Sequence, residues 1–226
     1  MIIDILSLFP EYFQGPFDVS IIKRARENGL VDIRLTNIRD FAEGKHAKVD
    51  DRPYGGGPGM VLMPQPVCRA IRSVKREGSH VVYLSPQGRT LNAKKCVELS
   101  ERSHLILLAG HYEGVDERVV EREIDEEISI GDYVLTNGCL ASIVVVDAVI
   151  RFIPGVLGNE ESAENDSFQR SNFFDAPKYT RPEVFEGMEV PEVLRSGNHA
   201  QIREWQEAQA GAKTRRVRPD LLGERL

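Results

Sequence analysis

Short apolar runs alternate with stretches of helical periodicity over the first two thirds of the chain. The clearest run is Leu105–Ala109, a continuous apolar segment that is typical of a strand covered on both faces. The predicted strands are 2–8, 31–38, 80–84, 105–109 and 127–130, and the predicted helices are 17–28, 64–77, 92–102, a short one from Asp116, and 140–152. Strands that alternate with helices predict an α/β fold with a mostly parallel sheet.

In such a sheet, ligands bind beyond the carboxyl ends of the strands. Three turn-rich segments follow successive predicted strands: SPQGR (85–89), GHYEG (110–114) and IGDYVLTNG (130–138). Each of them alone has the composition of a structural turn, but their shared position predicts one pocket. They offer many backbone groups and few cations, which suits a neutral heterocycle or a sulfonium beside Glu113 or Asp132 better than a polyphosphate.

A glycine-rich segment at 55–59 (GGGPG) is a further candidate for ligand contact. Consecutive glycines allow the backbone to approach a ligand closely. Its spacing matches neither a Walker loop nor a dinucleotide fingerprint. Polar and aromatic residues before it favour ligand contact over a plain surface loop.

Composition excludes several classes of protein. The formal net charge of −6 gives no overall basic field for nucleic acid, and 41% hydrophobic residues exclude a mostly disordered chain. The three cysteines form no CxxC pair, and the histidines have no metal-ligand spacing. The first residues lack the basic region of a signal peptide and no apolar run could span a bilayer, so we expect a cytoplasmic protein without a membrane partner.

The chain is predicted to divide into a main domain (1–160), a linker (161–177) and a small helical domain (178–226). The linker region is polar and aperiodic, which at this length indicates a functional loop. The tail carries a local basic run. Its candidate phosphate contacts are Lys178, Arg181, Arg195, Arg203, Lys213, Arg215, Arg216 and Arg218. From composition and spacing alone, no reaction follows, and Arg151 and Asp166 are as consistent with solvated charges as with catalysis.

The ordered set of motifs resembles the bacterial tRNA (guanine-N1-)-methyltransferases of the SPOUT superfamily, nearly from end to end. The matching motifs are DDRPYGGGPGM (50–60), LSPQGR (84–89), GHYEGVDERV (110–119), IGDYVLT (130–136), RFIPGVLG (151–158), NDSF (165–168) and YTRPEVFEGMEVPEVLRSGNHAQI (179–202). One segment departs from the family pattern. Where the family usually has GGELP, this chain has Asn137, Gly138, Cys139, Leu140 and Ala141.

The resemblance implies a deep trefoil knot, a homodimer with a composite active site, and methyl transfer from S-adenosylmethionine to N1 of the guanosine 3′-adjacent to a tRNA anticodon. It also implies a Mg²⁺ dependence, without a ligand cluster in this sequence. The implied cofactor-binding residues are Leu84, Pro86, Gly88, Gly110, Glu113, Ile130, Gly131, Asp132, Tyr133, Val134, Leu135 and Gly138. The implied substrate-binding residues are Gly55, Gly56, Gly57, Pro58, Gly59, Arg181 and Arg215.

The resemblance also assigns two catalytic roles. Asp166 is the expected general base for the N1 proton, and Arg151 is expected to stabilise the negative charge that builds on O6. Two other functions remain open: a non-catalytic RNA-binding protein whose altered 137–141 turn no longer holds the cofactor, and a related knotted methyltransferase with another RNA substrate.

Overall fold

The computed structural model describes residues 1–158, 167–168 and 173–223. The chain divides into two compact units, residues 1–158 and 159–226. The strands of the first unit are β1 (Ile2–Ser7), β2 (Asp32–Asn37), β3 (Asp50–Asp51), β4 (Val61–Leu62), β5 (Ser79–Thr90), β6 (His104–Ala109) and β7 (Glu126–Ser129). Its helices are α1 (Ser20–Glu27), α2 (Pro64–Val74), α3 (Ala93–Ser100), α4 (Glu117–Glu123) and α5 (Cys139–Ile150), with single 3-10 turns at Pro10–Phe13 and Ile38–Phe41.

Five strands form one sheet in the order β2-β1-β6-β5-β7, and every neighbouring pair is parallel. This confirms the predicted parallel α/β fold. The small β3–β4 pair is antiparallel and stands apart from the main sheet. The prediction of a half-buried strand at 31–38 holds for Ile33 but not for Leu35, which is 41% exposed. Leu35 is exposed because β2 is an edge strand with a neighbour on one side only.

Helices cover both faces of the sheet. One face carries Val82, Leu105 and Leu107 and packs against α1, α3 and α5. The opposite face carries Val81 and Ile106 and packs against α2 and α4. Residues 105–108 are therefore fully buried, as the continuous apolar run predicts.

Strand β5 runs further than the sequence predicts. Its pairing with β7 shifts register, so that Leu84 and Arg89 both lie opposite Ile128. The four residues between them leave the ladder and form a bulge at the carboxyl edge of the sheet. The predicted strand ended at Leu84, and the pairing of Arg89 and Thr90 beyond the bulge was not foreseen.

Buried polar groups lie at the amino edge of the sheet, opposite this bulge. The His104 imidazole Nε2 lies 2.7 Å from Asp4 Oδ2, and its Nδ1 lies 2.7 Å from Ser79 Oγ. Because each of these groups has a hydrogen-bond partner, the cost of burying them is offset. This network ties β1, β5 and β6 together at the edge that carries no predicted site residue.

Among its described residues, the second unit contains a small hairpin and two helices. Its elements are β8 (Val184–Phe185), β9 (Met188–Glu189), α6 (Glu192–Arg195), α7 (His199–Val217) and a 3-10 turn at Pro219–Leu222. The hairpin was not predicted, since each strand has only two residues. The predicted helix 199–210 continues to Val217 because Thr214 is buried and accepts the backbone N–H of Phe174 at 2.8 Å. No helix of the described residues has the length and apolar character needed to cross a bilayer.

Candidate active site

The three predicted loops meet at the carboxyl edge of the sheet and enclose a cavity of about 330 Å³. This volume falls within the range of small-molecule sites, about 300–1,000 Å³. Ten of the predicted cofactor-binding residues line it: Leu84, Pro86, Gly110, Glu113, Ile130, Gly131, Tyr133, Val134, Leu135 and Gly138. The pattern of strand ends therefore locates the cavity correctly.

Gly88 and Asp132 do not line this cavity. A Cβ atom on Gly88 would lie 2.5 Å from the backbone of Glu127 and Ile128, so this glycine allows the β5 bulge to pack closely on β7. The Asp132 side chain is exposed at the surface of its loop. The motif marks both residues, but one has a packing role and the other faces solvent.

A close backbone contact joins two of the loops. The Gly138 N–H donates to the Gly110 carbonyl at 2.8 Å, and a Cβ on Gly138 would lie 2.8 Å from the Gly110 nitrogen. A Cβ on Gly110 would in turn lie 2.9 Å from the Tyr83 ring. Glycine is needed at position 138 for space rather than for its backbone angle, since its φ of −80° is open to any residue.

The turn that departs from the family pattern is closed by its own side chains. Asn137 Oδ1 accepts the Cys139 N–H at 2.9 Å at the start of α5, as a side chain at a helix N-terminus commonly does. The Ser142 hydroxyl donates to the Gly138 carbonyl at 2.9 Å, and Cys139 Sγ lies 3.3 Å from Ser7 Oγ. Burial raises the pKa of the Cys139 thiol. The turn thus keeps an ordered geometry without a glutamate or a proline.

Several residues of the cavity wall were not singled out from the sequence. Tyr83, Gln87 and Thr136 all line the cavity. Burial raises the pKa of Tyr83 to about 12, so its phenol stays neutral at physiological pH. Tyr83 lies on the sheet face opposite Val82 and Leu84, and this period-two alternation is the signal that could have identified it.

Aromatic rings form part of the cavity rim. The His111 ring lies 5.0 Å from Phe9 and 4.6 Å from Tyr112, measured between ring centroids. Burial lowers the pKa of His111, which favours its neutral form. Tyr112 has a φ of +59°, a conformation that costs free energy for a residue with a side chain and that is found most often at functional sites.

The glycine-rich segment lies outside the cavity but is fastened to its rim. The Glu113 N–H donates to the Met60 carbonyl at 2.9 Å, and the Leu62 N–H donates to the Gly114 carbonyl at 3.0 Å. A Cβ on Gly59 would overlap the Glu113 side chain, which itself lines the cavity. Predicted substrate-binding residues 55–59 are all exposed, on the surface beside the cavity.

Of the two expected catalytic residues, Arg151 is among the described residues, and it lies away from the cavity of its own chain. Arg151 directly follows α5, whereas Gly138 at the other end of that helix lines the cavity. The 12 residues of α5 span about 18 Å, which exceeds the reach of an arginine side chain. Asp166 lies outside the described residues.

In the second unit, Arg181 and Arg215 are both exposed. Three of the candidate phosphate contacts form ion pairs with carboxylates: Lys178 with Asp175 at 3.2 Å, Arg195 with Glu183 at 3.0 Å, and Arg218 with Asp220 at 2.7 Å. Among residues 1–158, 167–168 and 173–223, no three His, Cys, Asp or Glu side chains come together as metal ligands.

A parallel sheet with a backbone-rich cavity at its carboxyl edge is the arrangement of α/β proteins that bind small ligands of mixed polarity. The chain belongs to the family described as tRNA (Guanine-1)-methyltransferase TrmD, whose model matches residues 1–224.

Two relatives illustrate the similarity. A tRNA (guanine-N(1)-)-methyltransferase of Protochlamydia amoebophila is 65% identical over 98% of this chain and 100% of the relative. One of Chlamydia pneumoniae is 60% identical over 98% of this chain but only 61% of the relative, which is a longer protein. Family membership thus extends over both units of the chain.

Proposed function

We propose that this chain transfers a methyl group from S-adenosylmethionine to N1 of the guanosine 3′-adjacent to the anticodon in tRNA. The observation that supports this most is the cavity itself, formed where the 130–138 loop closes over the 110–114 loop at Gly138 and Gly110. The family membership and the relatives named above give the reaction class. The chemical groups that line the cavity explain why this chain suits that reaction.

The residues present fit S-adenosylmethionine. The cavity is lined by backbone groups of three loops, with apolar side chains such as Leu84 and Leu135 and the Glu113 carboxylate. Backbone N–H and C=O groups can read a neutral adenine ring, and a carboxylate tolerates a cationic sulfonium. The bound cofactor supplies an electrophilic methyl group; the chain has to hold it still and bring guanine N1 to it.

Guanine N1 carries a proton, so a general base has to remove it before the nitrogen can act as a nucleophile. Asp166 is the proposed base. As the proton leaves, negative charge develops on guanine O6, and a guanidinium placed there lowers the barrier because it is already oriented. Arg151 is the proposed source of this guanidinium group.

The position of Arg151 supports a composite site. Since α5 separates it from the cavity of its own chain, the arginine beside the substrate is proposed to come from a second copy. The outer side of α5 carries Leu140 and Val144, each 44% exposed. Tyr12, in the 3-10 turn at Pro10–Phe13, is 41% exposed. Asp147 is exposed on the same side of the helix, so this face is an apolar strip with one carboxylate, and such a strip suits a homodimer contact.

The same topology supports the proposed trefoil knot. The chain leaves β7 and runs through 130–138, where Gly138 contacts Gly110. Gly110 follows β6, which pairs with β5 earlier in the chain. After this contact, α5 packs on the sheet. Such threading is rare among proteins.

We propose residues 1–160 as the knotted cofactor domain, 161–177 as the linker and 178–226 as the tRNA-binding domain. A base carried by the linker would couple tRNA binding to catalysis. The target guanine also has to leave its stack, at a cost of a few kcal/mol that contacts with the RNA offset.

A tRNA substrate is the reason for the proposed cytoplasmic location. The described residues contain no cluster of side chains that could bind Mg²⁺, and none of the proposed catalytic steps uses this ion.

Replacing Arg215 and Arg216 together with alanine should weaken tRNA binding and reduce its salt dependence. Removing one cation that neutralises a phosphate of single-stranded RNA lowers the slope of log K against log salt by about 0.7. Arg34→Ala is the matched control, because Arg34 is an exposed arginine of β2 that is not among the proposed phosphate contacts, and we expect no change of slope for it. Fluorescence titration over a range of salt measures the slopes; an unchanged slope in the double variant would locate the RNA elsewhere.

Gly138→Ala should lower both stability and cofactor affinity. The added methyl would meet the backbone of Ala109 and Gly110, and relieving such overpacking costs about 1–3 kcal/mol. A comparable loss in the bound state corresponds to about a tenfold weaker Kd. Gly158→Ala is the control, because a Cβ there meets nothing within 4 Å. Thermal unfolding and calorimetry measure the two effects, and equal behaviour of both variants would contradict the account.

The proposed function is tested by methyl transfer to tRNA transcripts that carry G or A at the target position. We expect transfer to the G transcript alone. If the protein binds no S-adenosylmethionine in calorimetry, the non-catalytic RNA-binding alternative is favoured. If methyl is transferred to ribosomal RNA but not to tRNA, the related methyltransferase with another substrate is favoured.

A further inference from the structure

Tyr54 is the most exposed of the large hydrophobic side chains in the described residues, at 102% of its reference surface. An aromatic ring normally buries about 150–250 Å² on folding, and this ring buries none of it. Tyr54 makes no ring contact with the other described aromatic residues. A ring kept fully in water gains nothing for the fold, which points to a contact with another molecule.

The backbone holds Tyr54 in a defined turn. The Gly56 N–H donates to the Pro53 carbonyl at 3.4 Å, and Gly55 has a φ of +85°, as the third residue of a type II turn requires. Tyr54 is therefore the second residue of this turn. The β3–β4 pairing and the contact of Gly59 with Glu113 anchor the loop on both sides, so the ring stands on a fixed support at the cavity rim.

The surroundings of Tyr54 contain two guanidinium groups and are open to solvent. Arg52 is exposed and forms no ion pair within the described residues. Arg118, in the first turn of α4, pairs with Asp116 at 2.7 Å, and this pairing holds the pKa of Arg118 above its ordinary value; the Tyr54 phenol adds a smaller effect in the same direction. On the other flank, a Cβ on Gly55, Gly56 or Gly57 would meet nothing within 4 Å, so a nucleic-acid backbone can approach closely.

An exposed aromatic ring, nearby guanidinium groups and bare backbone are what proteins use to bind single-stranded RNA bases by stacking. We propose that Tyr54 stacks on a tRNA base next to the target guanosine. This inference rests on the proposed function. A guanosine that leaves its stack to enter the cavity exposes one face of the neighbouring base, and the Tyr54 ring covers that face. The ring is required for this contact and the hydroxyl is not.

The test compares Tyr54→Leu, which removes the aromatic face but keeps an apolar side chain, with Tyr54→Phe, which keeps the ring. Because stacking on one base typically changes affinity by about tenfold or more, we expect Tyr54→Leu to raise KM for tRNA by that factor. The Kd for S-adenosylmethionine should stay unchanged. Tyr54→Phe should behave as wild type. With 2-aminopurine beside the target guanosine, the complex should be brighter with Tyr54→Leu than with wild type or Tyr54→Phe, since stacking quenches this base.

Three results would overturn the proposal: an unchanged KM and fluorescence for Tyr54→Leu, an equal loss in both variants, or a change of oligomeric state in Tyr54→Leu, which would identify a second copy as the partner. The fluorescence arm needs only tRNA binding. If wild type transfers no methyl, the proposed function fails, while the stacking contact is still decided by the fluorescence comparison.

Discussion

Asp166→Asn should lower kcat for tRNA methylation by about 10²–10⁴, the usual contribution of a positioned general base. The amide keeps the shape of the side chain but cannot accept the N1 proton. The Kd for S-adenosylmethionine should stay close to wild type, since the cavity wall is built from residues of the first unit. Single-turnover methyl transfer with saturating tRNA measures the chemical step.

Asp175→Asn is the matched control for this variant. Asp175 lies in the same predicted linker and pairs with Lys178 at 3.2 Å, so its replacement removes one carboxylate of the segment without removing the proposed base. We expect near wild-type kcat for it. Equal activity of the Asp166 and Asp175 variants would remove Asp166 from the mechanism.

Arg151→Ala should lower kcat by about 10²–10³, the usual cost of removing one preorganised group at a developing negative charge. Arg151→Lys should recover part of this rate, because the charge remains while the planar, bidentate geometry does not. The structure adds a sharper expectation, since α5 separates Arg151 from the cavity of its own chain.

A mixed dimer of Arg151→Ala and Gly138→Ala chains, isolated through two different tags, tests that expectation. If the arginine acts in the partner's cavity, one of the two sites in each mixed dimer is complete, and about half of the wild-type rate should return. The assay is run at a cofactor concentration well below the Kd of the Gly138→Ala chain. If the arginine acts in its own chain, the site that keeps its arginine is the Gly138→Ala site, and its roughly tenfold weaker cofactor binding limits the returned rate to about a tenth of wild type or less.

The sequence predicts the framework well because its signals are local. The continuous run Leu105–Ala109 indicates a strand buried on both faces, and Val82, Leu105 and Leu107 do face the α1, α3 and α5 layer. The carboxyl ends of parallel strands share one edge of the sheet, so three separate loops can be assigned to one cavity from their positions in the sequence.

Other features depend on contacts between distant parts of the chain. The extension of β5 past its bulge requires the backbone of β7 at Gly88, and the extension of α7 requires Phe174 against Thr214. Neither contact has a local pattern. Gly88 and Asp132 belong to the matched motifs but not to the cavity wall. A motif alone does not distinguish a residue that permits packing, such as Gly88, or one that faces solvent, such as Asp132, from a residue beside a ligand. The distance between Arg151 and the cavity of its own chain likewise depends on the length and orientation of α5.

Locating the methyl group in the product is the most direct test of the central claim. After reaction with a tRNA transcript, nuclease digestion and mass spectrometry identify the modified nucleoside and its position. We expect 1-methylguanosine next to the anticodon on its 3′ side, formed about 10²–10⁴ times more slowly with Asp166→Asn. Methylation of a different guanine atom, which needs no proton removed from N1, or methylation at another nucleotide, would contradict it.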